Sequence, residues 1–278
     1  TALSGLFIDN GPVVQLRNSS GRISRLDDPD PVARVAYNGP LVVLVDRYSA
    51  SASEIFAAAI QDYARGVIVG QQTFGKGTVQ NLYSLDQYIR PDGDEGYGQL
   101  TLTIGKYYRV TGESTQHRGV DPDIILPSHI NAELVGESVR ESALPWDTVQ
   151  TTRFRSGVPL TETIESLTSA YAERAEGDPN VRYQLDVIEA TREMTSQKSL
   201  SLNKAVRRAE RENELQSRLD RENERRAALD LEPIASLDDI EEDEFPDISL
   251  EQATGIVTDL ATMREIASTP PQAAQVQP

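Results

Sequence analysis

No cysteine occurs in this chain, so thiol nucleophiles, disulfides and thiolate metal sites are excluded. Its compartment stays open, because oxidising and reducing locations both contain such chains. Histidine is almost as scarce: His117 lies in a polar turn and His129 in a linker, neither beside clustered carboxylates. That disfavours a histidine-based triad and a catalytic metal, and no cofactor is expected. No apolar run approaches the ~20 residues of a membrane span, and Thr1-Ala-Leu-Ser-Gly5 has no basic and apolar leader. The expectation is a soluble chain without a transmembrane segment. Positive charge is also in deficit, with 27 Lys and Arg against 44 Asp and Glu and a net charge of −17. Such a chain repels phosphate backbones, which argues against nucleic acid as a partner.

The acidity is uneven. Residues 1–128 hold 11 basic and 14 acidic side chains, whereas residues 129–278 hold 16 and 30. The first part alternates short apolar runs with turn signals such as Asn18-Ser-Ser-Gly21 and Asp28-Pro-Asp-Pro31. Val13–Arg17 and Val35–Tyr37 read as strands, Leu41–Val45 as a strand covered on both faces, and Gln99–Ile104 as an alternating strand with one wet face. A helix from Ser51 to Tyr63 is expected to bury Ile55, Ala58, Ala59 and Tyr63. The later part reads as helices over 160–175, 181–196, 202–229 and 250–267, with a Ser249/Gln252 capping box opening the last. Asp238–Glu244 reads as an acidic loop and Thr269–Pro278 as a disordered tail. The fold class is α/β: a mixed-sheet core at 1–128 followed by an all-helical domain at 129–278.

Two residues stand where chemistry is feasible. Ser51 opens a helix directly after an apolar strand, and Lys76 is flanked by glycines in Thr73-Phe-Gly-Lys-Gly-Thr-Val-Gln80 just after a second apolar run, Val67–Val69. Together they could form a serine–lysine dyad, with the amine as general base for the hydroxyl. Each also has a structural reading. Ser51-Ala-Ser-Glu54 has capping-box spacing, which is compatible with nucleophilicity, since the Ala52 amide at a helix start can face a developing oxyanion. Ser49 and Ser53 are rival nucleophiles. A base role for Lys76 requires burial that disfavours the ammonium form, and Phe74 and Val79 suit that.

The stretches Val45–Phe56, Phe74–Gln80 and Gly119-Val-Asp-Pro-Asp-Ile124 resemble the C-terminal processing peptidases, and Leu144-Pro-Trp-Asp147 with the helical tail extends the resemblance over nearly the whole chain. The resemblance puts the nucleophile on Ser51, the base on Lys76 and a lysine-orienting glutamine on Gln80. It also implies a serine-type endopeptidase of the periplasm, in some cases at a cell membrane. Its expected partners are protein substrates with nonpolar C-termini and a membrane-anchored helical-repeat lipoprotein adaptor. An aspartate described for this family matches Asp62. That residue lies eleven positions after Ser51, ~16 Å along one helix at ~1.5 Å per residue, so a structural role is expected for it. The family's glycine-rich segment and PDZ domain have no counterpart in these residues. A C-terminal portion of a longer protease, weak or inactive by itself, is therefore the expectation.

Two other classes compete. One is a non-catalytic interaction domain. The other is a phosphate-binding loop at Gly70–Gly77, which lacks the Ser or Thr expected at Gly77 and has no helix start after it.

Overall fold

A computed structural model describes residues 1–9, 11–29, 35–89, 96–240 and 246–268. The turn at 28–31, the end of the acidic stretch at 238–244 and the tail at 269–278 therefore lie wholly or partly outside the described residues. Two compact units emerge. One combines 1–124 with 131–161, and the other combines 125–130 with 162–278.

In the first unit, α1 (Ala2–Gly5) precedes β1 (Pro12–Asn18) and β2 (Ile23–Asp27), a hairpin turned by Asn18, whose carboxamide oxygen accepts from the Ser20 and Arg22 amides. They join β5 (Thr78–Ser84) and β6 (Gln99–Tyr108) in an antiparallel sheet of order β2-β1-β6-β5. A second sheet of order β3-β4-β7 contains β3 (Val42–Val45), β4 (Val67–Gly70) and β7 (Ile124–Ile125), with β3 and β4 parallel. The crossover between β3 and β4 is α2 (Ala52–Asp62). Parallel neighbours need such a connection because a hairpin cannot reverse the chain twice.

The core forms where α2 lays Ala57, Ala58, Ala59 and Ile60 against Val13, Val45, Ile68, Val110 and Val120. The small alanines bring the helix backbone close to the sheet. Tyr63 ends the helix buried, its hydroxyl donating to the Pro12 carbonyl at 2.8 Å.

Several local expectations change. Residues 35–37 are not a strand, whereas Ile23–Asp27 is one. In the expected fully covered strand, Leu44 is exposed, and only β4 is buried along its whole length. In β6, residues 99–103 are exposed on both faces, so alternation there marks a wet extension of the β5–β6 ribbon. Alternating apolar residues fit a half-buried face, but burial requires a covering layer, and none of the described residues supplies one at this end of the ribbon.

In the second unit, α3 (Thr161–Glu176), α4 (Pro179–Ser196), α5 (Lys204–Ala228) and α6 (Ile248–Ser268) match the four helical periodicities within a few residues. Leu167, Tyr171, Val181, Ile188, Ile256 and Leu260 form their buried face. Asp178 caps α4 and also accepts from Gln252. The start of α6 is capped by Asp247, whose carboxylate accepts from the Leu250 amide at 3.0 Å, so the expected Ser249/Gln252 box is not used. Leu237–Asp239 forms a single 3₁₀ turn. Among the described residues no helix is long and apolar enough to cross a membrane.

Candidate active site

Ser51 occupies the turn from β3 into α2 with φ 57° and ψ −108°. A positive φ is uncommon for a residue with a Cβ and costs on the order of 1–3 kcal/mol. Ser51 and Glu54 form a capping box with one tight and one loose half. The Glu54 carboxylate accepts from the Ser51 amide at 2.7 Å, while the Ser51 hydroxyl makes no regular cap hydrogen bond. Oγ is thus held only by the loose half of the box, on a half-buried residue. At the first helical position the Ala52 amide has no intrahelical partner. Ala52 is exposed, and among the described residues nothing accepts from its N–H.

Lys76 lies between β4 and β5, and both flanking glycines are forced by close packing. At Gly75 φ is +90°, and a Cβ would come within 2.8 Å of the His117 carbonyl carbon. At Gly77 a Cβ would meet the Gln116 amide nitrogen at 2.7 Å. The loop is fastened there by His117 N–H to the Gly75 carbonyl and Gly77 N–H to the Gln116 side chain, each at 2.8 Å. Lys76 Nζ donates to Gln80 Oε1 at 3.2 Å. Lys76 is half-buried rather than enclosed, and among the described residues no hydrogen bond joins its Nζ to Ser51. Since Thr78–Ser84 is a strand, no helix N-terminus follows the lysine, and nothing here offers a phosphate the usual ring of amides.

Glu54 brings the two loops together. It is fully buried. Oε1 accepts from the Thr73 hydroxyl at 2.6 Å and the Gly75 amide at 2.7 Å, and Oε2 accepts from the Ser51 amide at 2.7 Å and the Lys76 amide at 2.9 Å. One carboxylate thus binds the backbone on both sides of the candidate dyad. Burial pushes this carboxyl above its ordinary range, and the four donors pull it only part of the way back. Tyr107 adds a second staple from β6. Its hydroxyl lies 3.1 Å from the Ser51 carbonyl, closer still to that of Lys76, and 3.4 Å from Glu54 Oε2. Burial first, then the Glu54 charge, pushes the phenol far above its usual range, so it remains a donor.

Arg47, also buried, fixes the loop that leads to the lysine. It donates to the carbonyls of Thr73, Ala132 and Val135, and Glu137 N–H donates to the Phe74 carbonyl at 3.0 Å. Burial lowers the Arg47 guanidinium from its ordinary value, against the pull of Glu54 and Asp121.

Sequence reasoning saw Glu54 only as half of a capping box. Its other donors lie 19 to 22 residues further on, beyond any local pattern. Thr73 and Arg47 fall inside the motif stretches without any sign of these roles, and Tyr107 left no signal at all.

Asp62, at the far end of α2, is buried and paired with Arg109. The guanidinium donates to it at 2.5 and 3.1 Å and to Gln61 at 2.8 Å. It is the last residue of the eleven-residue α2, whose first follows Ser51. Burial pushes its carboxyl up, with Arg109 opposing. Among the described residues no three His, Asp or Glu side chains converge as a metal site would require.

Residues 1–126 match Peptidase family S41, and residues 130–262 match the C-terminal domain of tail specific protease. The chain belongs to this family of C-terminal processing peptidases. Within it the chain is similar to the tail-specific protease of Haemophilus influenzae, 41% identical over 262 residues that make up 93% of this chain and 37% of that protein. It is also 33% identical over 139 residues to the carboxy-terminal-processing protease of Bartonella bacilliformis, covering 50% of this chain and 30% of that one. A solved photosystem II D1 C-terminal processing protease aligns over 49% of this chain and 32% of its own, with 32% identity and a TM-score of 0.37. The chain thus spans about a third of the length of the curated relatives it matches.

Proposed function

We propose that this chain carries the catalytic pair of a serine endopeptidase that cleaves proteins bearing nonpolar C-termini. In this reading Ser51 Oγ attacks the scissile carbonyl and Lys76 Nζ, as the neutral amine, takes its proton. Gln80 orients that amine, and the free Ala52 N–H receives the oxyanion. Asp62 holds the end of α2 through Arg109 and takes no part in the chemistry. Residues 1–124 with 131–161 supply the peptidase core, and the helices from 162 onward a second domain. The setting is the periplasm, in protein processing and quality control, with a membrane-anchored helical-repeat lipoprotein as adaptor.

The observation that carries this reading is the fastening of the Ser51 and Lys76 backbones to one buried carboxylate, Glu54. A solvent-exposed cap and an ordinary surface lysine have no need of a shared buried anchor. The half-exposed Lys76 must lose water to become a neutral base, and a bound polypeptide covering the Lys76–Gln80 edge would supply that desolvation.

The test is turnover of an unfolded protein ending in nonpolar residues, measured on the whole protein that carries this chain. Ser51→Ala and Lys76→Ala are expected to abolish cleavage with the fold intact. Lys76→Arg fails as well, because a guanidinium keeps its proton near neutral pH. Gln80→Ala leaves partial activity. Retained cleavage in either alanine variant of the pair would sink the assignment.

A further inference from the structure

Far from the Ser51 turn in sequence, the second unit has a groove that the proposed peptidase reading does not use. It lies between α4 and α5 and encloses about 1150 Å³. The two helices are clamped at one end, where the buried Glu222–Arg225 pair reaches Asn180 on α4. Beyond the clamp α5 leaves the buried part of the unit. Lys204 through Arg218 is exposed throughout, which is unusual for so long a stretch of helix in a packed unit.

The two walls differ in chemistry. On α5, Lys204, Arg208, Arg211, Arg218 and Arg221 recur in three- and four-residue steps along one face, interrupted only by Glu214. Arg207 joins them but is already engaged by Glu210 at 2.6 Å. Read along the sequence, this helix is a mixture of signs. Around the helix, the arginines gather on the groove side. Arg221 Nε is buried there without a hydrogen-bond partner, which is costly for a charged donor. The opposite wall is mixed: Val187, Ala190 and Met194 on α4, with Leu200 from the connection, form an apolar strip beside Thr191, Glu193 and Gln197. Met194 and Leu200 are more than half exposed.

We propose that this groove docks an acidic, amphipathic segment of a partner protein, its apolar side on the α4 wall and its carboxylates on the α5 arginines. Charge complementarity points to this occupant, because a concentrated cationic face stands out in a chain of net charge −17. The three glutamates in the lining, Glu193, Glu210 and Glu214, would repel a continuous phosphate backbone, and a nucleic acid has no side chains to place on Val187 and Met194. A peptide can skip the glutamates and use both walls. At physiological ionic strength the Debye length of about 8 Å screens the rest of the acidic surface, so the local face decides.

The probe is a fluorescein-labelled synthetic helix of about 18 residues, roughly 27 Å long, with leucines on one face and glutamates on the other. It is titrated by anisotropy into the intact 278-residue chain. Saturable binding is expected. The double charge reversal Arg208→Glu/Arg211→Glu should weaken it by about tenfold or more, and Met194→Ser by about threefold. All three positions are exposed, so these variants should fold. Peptides with lysine for glutamate or serine for leucine should lose binding to the unaltered chain, a result independent of whether any variant folds. Absence of saturable binding would overturn the proposal, as would equal affinity for the lysine peptide or no response to the double reversal. Equally tight binding of a single-stranded oligonucleotide or of anionic lipid vesicles, abolished by the same reversal, would overturn it too.

Discussion

Replacing Glu54 with glutamine changes one atom and should show how the candidate site is held. A carboxylate offers only acceptors, and here Oε1 meets two donors while Oε2 meets two amides and, more weakly, the Tyr107 hydroxyl. A carboxamide must turn one of those oxygens into an NH₂. If it faced the Ser51 and Lys76 amides, both would be stranded, so the better orientation puts NH₂ toward Thr73 and Gly75. The Thr73 hydroxyl can rotate to accept, since it already accepts from the Val120 amide at 2.8 Å, but the Gly75 N–H cannot. The cost is one stranded buried donor, about 1–3 kcal/mol, plus the weakening of the remaining charge-assisted bonds, with some return because the buried charge disappears. We expect a net loss of about 3 kcal/mol. The assay is amide hydrogen exchange with a parallel denaturant titration. Gly75 should exchange on the order of a hundredfold faster, since each 1.4 kcal/mol is roughly tenfold, with smaller gains at Ser51 and Lys76. An unchanged midpoint together with unchanged protection at Gly75 would show that Glu54 does not hold the two loops, and the argument built on it would fall.

Other consequences can be measured alongside. Asp62→Asn and Arg109→Met should each destabilise by about 3 kcal/mol, because each leaves a buried partner uncompensated, and the double variant should lose much less than the sum; additive losses in a denaturant-based double-mutant cycle would refute the pairing. Burial pushes the Asp147 carboxyl up, but hydrogen bonds from Lys106, Arg17 and Tyr108 outweigh this and hold it below the usual range. Its contribution is therefore present above the unfolded value near pH 4 and lost as pH falls through the lower folded value. The stability gap between the parent and Asp147→Asn should accordingly shrink on acidification below about pH 4, and a gap that widened would reverse the sign of the argument. Gly75→Ala should cost about 2 kcal/mol or more in thermal unfolding, through both its positive φ and the His117 backbone; a neutral result would mean the loop can withdraw.

Much of this architecture was legible in the residues, and the failures share a cause. The four late helices follow from apolar spacing and punctuation at Gly177-Asp-Pro179 and Glu232-Pro233, because helix formation is local. Lys76 was legible as a loop residue, but the reason for its glycines was not. That reason is the Thr115–His117 segment, some forty positions later. Glu54 shows the same limit, since its role as a cap is written in adjacent residues and its role as an anchor is written elsewhere. Alternation in Gln99–Ile104 indicated a strand correctly and a buried face incorrectly, because alternation describes what a strand can cover and not whether anything covers it. Asn131–Thr161 lies with the first unit, whereas the expected boundary at 128 grouped it with the helices. Its anchors are single contacts such as Asp147 with Lys106 and Arg17, which have no periodicity to read.

Trp146 is the one tryptophan in the chain. Its indole donates to the Ser114 carbonyl at 2.8 Å, and the Arg118 guanidinium stacks 3.7 Å above the ring. The molecule therefore carries a built-in optical probe confined to the docking of the 131–161 segment. Far-ultraviolet circular dichroism is dominated by the second unit, which holds most of the helix, so it reports a different place. Followed together through a melt, the two signals would separate the fortunes of the two units without any label. A tryptophan transition that preceded the loss of helix would mean that the strap beside the candidate site lets go while the helices stand.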